Sequence, residues 1–489
     1  MTIAVNRKDI RFYPDSKRVI ARFFMPDGEE RAKNIIPKIL SLSAEETRFT
    51  LNQVLTNFSQ RHRNISIVLQ KHFNRIAHLV QHLGFDPETL SREKKLLIGS
   101  YFTMEYSIES AAFFNPSIVE DPDQTVLGKD EKRVIVSFRA TGEGHISSIV
   151  FRSGIIDKNN NMKFKTPGDL VDIPEAVKRH IYDKQEFLDK LSEMKVQKNL
   201  IGMIMDRLDD RFTYGQLQDS IEKSIAKNNL NTIQRKVVSD IKWLANSHYE
   251  ITFSLDTALS ERVIYPISNS ESNGIEDARF VKFTDDDGTV TYYGTYTAYN
   301  GFTILPKFIV TSDFYHFKVM PINGEVAQNK GVALFPRKIN GKYAMISRID
   351  GVNNYIMFSD NINLWQDATM IQEPAYPWQF IQIGNCGSPI ETERGWILLT
   401  HGVGPMRRYS LGATLLDLDD PTKVLGQTSE PLLRPNDEER EGYVPNVVYS
   451  CGAMIHNNEL IIPYAMADYA STFATVSLDE LFRKLVYTS

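Results

Sequence analysis

The sequence predicts a mainly β protein carrying two helical blocks. Three observations lead there. Short apolar segments punctuated by Gly, Asn and Asp recur from about residue 110 to about 475. Helical periodicity is confined to the first 100 residues or so and to about 174–246. A Ser-Asp step recurs about 47 residues apart, in Thr311-Ser312-Asp313-Phe314 and in Phe358-Ser359-Asp360-Asn361. Phe317 and Trp365 follow the two copies. Four-stranded propeller blades repeat every ~40–50 residues, and the roughly 300 residues outside the helical blocks then fit about five or six blades. A β-sandwich is the alternative arrangement.

The elements follow in order. Ser43 and Glu46 make a capping box, and Leu51, Val54, Leu55 and Phe58 come after it at helical spacing. A second stripe runs through Leu69, Phe73, Ile76 and Val80. Arg133–Phe138 is a short strand. In the second block Tyr214, Leu217, Ile221 and Ile225 share one helical face, and Val237, Val238, Ile241 and Leu244 another. Neither block holds chemically distinctive residues, so both read as packing on the core or on a partner subunit. Phe280–Phe283 and Thr289–Tyr296 form a hairpin across Asp285-Asp286-Asp287-Gly288, because Asp-Gly favours the turn. Leu478–Leu485 is a last helix. The expected organisation is a helical extension at 1–105, a β domain at 106–475 interrupted at about 170–248, and a helix and tail at 476–489.

Composition narrows the function. The chain has 489 residues, 42% hydrophobic and 24% charged, which excludes disordered, collagen-like and coiled-coil chains. Its net charge of −5 gives no overall attraction to nucleic acid or anionic lipid. The 27 Phe and 21 Tyr suit β-structure or a sugar-binding cleft. Cys386 and Cys451 are too few for a disulfide framework or a cysteine zinc site, and fit a reducing compartment. Neither a secretory h-region nor an apolar run of ~18 residues is present, so a cytoplasmic, soluble chain is expected.

Gly274-Ile275-Glu276-Asp277-Ala278-Arg279 is the most suggestive string, with two carboxylates and an arginine before a strand. Adjacent strand residues face opposite ways, so Glu276 and Asp277 are expected to diverge. Arg139, Arg152, Lys330, Arg348 and His401 are basic groups in apolar surroundings. Converging, they would hold an anion such as phosphate, at ~1.5–3 kcal/mol per charge-assisted hydrogen bond. Walker, Rossmann, His-Glu-x-x-His and Gly-x-Ser-x-Gly motifs are absent, and the histidines have no metal spacing. His72 and His78 read as packing or surface residues, and Cys386 as a small buried one.

A set of strings, in order, resembles glycoside hydrolase family 130, the mannoside phosphorylases and related β-mannosidases. They are Phe114-Asn115-Pro116-Ser117, Ser137-Phe138-Arg139, the Gly274–Arg279 hexapeptide, Thr295-Tyr296-Thr297-Ala298 and Asn329–Pro336. Thr400-His401-Gly402-Val403, Leu411–Leu418, Val444–Val448 and Ala467-Asp468 complete it. The resemblance covers about 110–155 and 270–475 and omits both helical blocks, which look like extensions that serve oligomer contacts.

The resemblance implies a five-bladed β-propeller with a central active site. It implies Asp277 as the proton source, with Ala278 replacing the usual Pro. Arg139, Lys330, Arg348 and His401 map to phosphate binding, although Ser347 stands where phosphorylases usually have His. Asn115, Arg152, Arg279, Tyr296 and Asp468 map to substrate contacts. Inorganic phosphate is the implied co-substrate, with no metal or other cofactor. The implied reaction is phosphorolysis of a β-mannoside with inversion, yielding α-mannose 1-phosphate. Hydrolysis with Glu276, Glu391 or Glu393 as base is one alternative. A non-catalytic sugar-binding propeller is the other. Linkage and acceptor stay open.

Overall fold

The computed structural model describes residues 4–174, 176–177, 181–225, 230–301 and 304–488. Strand accounts for 37% and helix for 25%, so the fold is mainly β. Among the described residues, no helix is long and apolar enough to cross a membrane.

Five antiparallel sheets of four or more strands follow one another among the described residues. The first joins Ala112–Glu120, Lys132–Thr141 and Ser147–Ile156, edged by Met162–Phe164 and Val263–Ile264. The second is built on Ile275–Thr284, Val290–Tyr299, Ile304–Thr311 and His316–Pro321, with Tyr249–Thr252 and Ala176–Val177 beyond. The third holds Ala333–Leu334, Tyr343–Ser347, Asn354–Ser359 and Ala368–Gln372. The fourth runs Gln382–Asn385, Gly395–Val403, Tyr409–Leu416 and Val424–Thr428. The fifth contains Val448–Tyr449, Glu459–Met466 and Ala470–Ser477.

The expected hairpin is present. Gly288 takes φ +83°, its N–H donates to the Asp285 carbonyl at 2.9 Å, and the two strands pair from Ile275↔Ala298 to Thr284↔Val290. Each sheet touches the next: Ala112–Glu120 meets Ile275–Thr284, Val290–Tyr299 meets Ala333–Leu334, Tyr343–Ser347 and Asn354–Ser359 meet Gln382–Asn385, and Tyr409–Leu416 meets Val448–Tyr449, while the fifth touches the first through Glu459–Met466 and Ala112–Glu120. Both chain ends are tied into sheets. Asn6–Phe12 pairs with Ala470–Ser477, and Leu485–Tyr487 with Val424–Thr428.

The N-terminal block holds helices Glu29–Leu40, Ala44–Phe58, Ile65–His82 and Arg92–Tyr101. Ser43 and Glu46 form the capping box. Leu51, Leu69, Phe73, Ile76 and Val80 are buried together in one core. The strand Val19–Phe23 enters this block and pairs with Thr103–Ser107, which leaves it. The inserted block holds Lys184–Glu193, Lys198–Met205, Tyr214–Ile225 and Thr232–Asn246 around Leu217, Ile221, Val238 and Ile241. Within that predicted block, 175, 178–180 and 226–229 lie outside the described residues.

A buried ionic brace ties the N-terminal segment to the first sheet. Glu109 lies 2.5 Å from Arg18 Nε and 3.3 Å from the Arg152 guanidinium. Arg18 also donates to the carbonyls of Gly168 and Ser260, at 2.7 and 2.6 Å.

Candidate active site

The site residues fall at one end of the five sheets. Asn115 and Asp277 lie near the start of a first strand, while Arg139 and His401 lie near the end of a second. Arg348 follows Tyr343–Ser347, and Asp468 follows Glu459–Met466. In an antiparallel pair, the start of one strand and the end of its neighbour share a rim.

Two bulges shape that rim. The register breaks between Phe114 and Ser117, and again between Glu276 and Arg279. Asn115 and Asp277 occupy these breaks in the left-handed region, at φ +50° and +55°. Asn and Asp tolerate that region better than other non-glycine residues, at a cost of about 1–3 kcal/mol. Gly274 leads into the second bulge at φ +123°, where a Cβ would stand 2.5 Å from Ser147 Oγ. That hydroxyl donates to the Ile275 carbonyl at 2.9 Å.

The bulge overturns the expected divergence of Glu276 and Asp277. An extra residue in a strand resets which face a side chain meets. Both carboxylates therefore reach Arg139, at 3.0 Å for Glu276 and 3.3 Å for Asp277. Asn115 Nδ2 donates to Asp277 Oδ1 at 2.7 Å. Lys330 Nζ meets Glu276 Oε2 at 2.5 Å.

A second group adjoins the first. Arg279 donates to the Asp277 carbonyl and to the Tyr449 hydroxyl, both at 2.8 Å. Arg348 stands 3.2 Å from His401 Nε2. A guanidinium only donates, so Nε2 accepts and the imidazole proton sits on Nδ1, 3.7 Å from Cys386 Sγ. The His401 ring lies 4.9 Å from that of Tyr449.

The electrostatics separate the two aspartates. Burial alone would raise the Asp277 carboxyl, but Arg139, Arg279, Asn115 and Lys330 together hold it below the usual carboxylate range. Asp468 is pushed up to about 6, by burial first and then by the negative charge of Asp277. It sits with Ala467 in a turn where both take left-handed φ, +48° and +50°. Burial, then Arg348 and Arg279, drive His401 well below its ordinary value, so the ring is neutral.

The structure thus brings together Asn115, Arg139, Asp277, Arg279, Lys330, Arg348 and His401, with Asp468 close enough to feel the charge of Asp277. It places Arg152 elsewhere, in the brace with Glu109. Tyr296 also turns away. Its hydroxyl donates to the buried Glu271 at 2.5 Å. Of the three candidate bases, Glu391 pairs with Arg337 at 2.7 Å on an outer hairpin and Glu393 is exposed there. Two residues were missed. Asn385, whose amide donates to the Gly331 carbonyl, precedes the cysteine that drew attention to its segment. Tyr449 directly follows the Val444–Val448 string. Among the described residues, no cluster of His, Cys, Asp and Glu is arranged to hold a metal ion.

A glycoside hydrolase 130 family model, described as beta-1,4-mannooligosaccharide phosphorylase, matches residues 238–486. A 1,2-beta-oligomannan phosphorylase of Thermoanaerobacter sp. (strain X514) is 35% identical over 227 residues, covering 46% of this chain and 75% of that one. A beta-1,2-mannobiose phosphorylase of Listeria innocua is 32% identical over 240 residues, 48% of this chain and 65% of that one. The solved structure of a Listeria innocua beta-1,2-mannobiose phosphorylase with beta-1,2-mannobiose aligns over 78% of this chain and 93% of that one, at 23% identity and a TM-score of 0.45. The sequence match spans half of the chain, including the acid-bearing bulge and all but the first-sheet residues of the site, and on it the chain belongs to glycoside hydrolase family 130.

Proposed function

We propose that this chain cleaves β-mannosides by phosphorolysis with inversion, giving α-mannose 1-phosphate and a shortened acceptor. The observation that carries this reading is a pair of arginines that no carboxylate contacts directly, Arg279 sharing only the longer-range field of Asp277. Arg279 and Arg348 form no ion pair with a carboxylate among the described residues, and the histidine beside them is neutral. Like charges in a low-dielectric site repel, and a bound anion relieves that repulsion. Inorganic phosphate has the charge and the acceptor oxygens to do so. The relatives support this class, since those matched are named as mannoside phosphorylases.

In the reaction a phosphate oxygen attacks C1 while the C1–O bond to the acceptor breaks. The departing oxygen takes a proton from Asp277, relayed through a hydroxyl of the mannose being transferred. Asp277 must first hold that proton, yet the free site keeps it ionised. Phosphate offsets the cations responsible and so raises the carboxyl toward protonation. Because phosphate is already an anionic nucleophile, the second carboxylate of an ordinary inverting hydrolase is dispensable. Glu276 is engaged by Arg139 and Lys330, and Glu391 and Glu393 point outward, which disfavours hydrolysis.

The cyclic contact of five sheets supports a five-bladed propeller with this site at its central rim. Arg348→Met tests the phosphate assignment. Losing ~1.5–3 kcal/mol of charge-assisted bonding raises the phosphate KM by about 10–150-fold and leaves the mannoside KM in place. An unchanged phosphate KM would remove Arg348 from the anion site.

A further inference from the structure

A fully buried polar knot lies behind the acid-bearing bulge. Its centre is Glu271, in the short turn Asn269–Glu271. Lys307 Nζ meets Glu271 Oε1 at 2.7 Å, with both side chains shut off from solvent. Tyr296 donates to the same oxygen at 2.5 Å, and Tyr249 lies 3.1 Å from both oxygens. The backbone N–H groups of Ser268 and Ile267 donate to Oε2 at 3.1 and 3.3 Å. A buried ion pair contributes little net stability over an apolar replacement, so its presence points toward fixing geometry.

The register says what it fixes. Glu276 pairs with Thr297 and Arg279 with Thr295, so Tyr296 stands opposite the two bulged residues Asp277 and Ala278. On the other side Tyr296 pairs directly with Lys307. From the turn, the Gly274 N–H donates to the Glu271 carbonyl at 2.7 Å, at the entry to the bulge. The knot therefore grips the bulge at its start and across the ladder. On the opposite face of the same strand, Thr295 Oγ1 donates to the Val332 carbonyl at 2.5 Å, just after Lys330.

We infer that Tyr296, held by Glu271, is a positioning residue that keeps Asp277 and Glu276 together on Arg139. A bulge has no ladder hydrogen bonds of its own to set its shape, so an external anchor determines where its side chains aim. Tyr296 does not touch the sugar; it acts through the backbone of the neighbouring strand. This rests on the phosphorolysis reading and deepens it.

Three variants test it, measured for kcat, both KM values, the pH profile of kcat and thermal unfolding. Tyr296→Phe removes one hydroxyl and no other volume. Its kcat falls about 10–100-fold with KM values near those of the parent, as expected for a misaligned proton donor. Its alkaline limb moves to higher pH, because an acid further from Arg139 is less strongly held ionised. Tyr249→Phe removes a bond to the same Glu271 from the strand Tyr249–Thr252, which does not pair with the bulge. It lowers the unfolding temperature comparably but keeps kcat and the pH limb. Parent-like kcat and pH profile in Tyr296→Phe, or the same losses in Tyr249→Phe, would overturn the inference. Asp277→Asn separates the two levels. If it keeps full turnover, the proton-donor reading itself falls and this inference with it.

Discussion

At the scale of single residues, Asp468 is the group whose charge varies most usefully with pH. Its folded pKa of about 6 stands above an unfolded value near 3.9. Between those values the folded protein holds a proton that the unfolded chain releases, so Asp468 erodes stability as pH rises from about 4 to about 6. Asp468→Asn removes the erosion. Its gain in unfolding temperature over the parent is absent below about pH 4, grows through the window and levels off above about pH 6. Scanning calorimetry across pH checks this, and a gain equal at every pH would contradict it. Residue identity was enough to single out Asp277, Arg139, Lys330, Arg348 and His401, because charged groups among Gly and apolar neighbours are conspicuous. Their geometry was not legible. Strand alternation put Glu276 and Asp277 on opposite faces, and only a left-handed residue in a bulge reunites them. Arg152 and Tyr296 look like site residues in sequence because nothing local reveals Glu109 and Glu271, their distant partners.

Among elements, those written in local chemistry were the most legible. The Ser43–Glu46 box begins its helix at the expected residue, and Asp285–Gly288 turns the expected hairpin. Ser43→Ala leaves the Glu46 N–H without its 3.2 Å acceptor and costs about 1 kcal/mol. Denaturant unfolding of the variant reads that loss, and activity should be untouched because the helix lies outside the rim. The edge strand Asn6–Phe12 was the least legible. Its Arg, Lys and Asp residues obscure any apolar alternation, and charged side chains are what an edge strand carries to discourage wrong pairing. Its partner, Ala470–Ser477, lies more than 450 residues away, so no local pattern announces the pairing.

At the scale of the molecule, long-range ties hold the N-terminal segment, the sheets and the rim in one frame. Asn6–Phe12 closes the last sheet, and the Glu109 brace joins the N-terminal segment to the first. Glu109→Gln would leave Arg18 and Arg152 buried without a counter-charge, at a cost of about 3–5 kcal/mol. Chemical denaturation of the variant measures it, and a loss below 1 kcal/mol would show that the brace is dispensable. The central claim is that this frame presents a phosphate-armed proton donor to a β-mannoside. The most direct measurement is proton and phosphorus NMR of the full chain incubated with β-linked manno-oligosaccharides, with and without inorganic phosphate. The account predicts α-mannose 1-phosphate only where phosphate is present. Free mannose formed equally in both samples would contradict it.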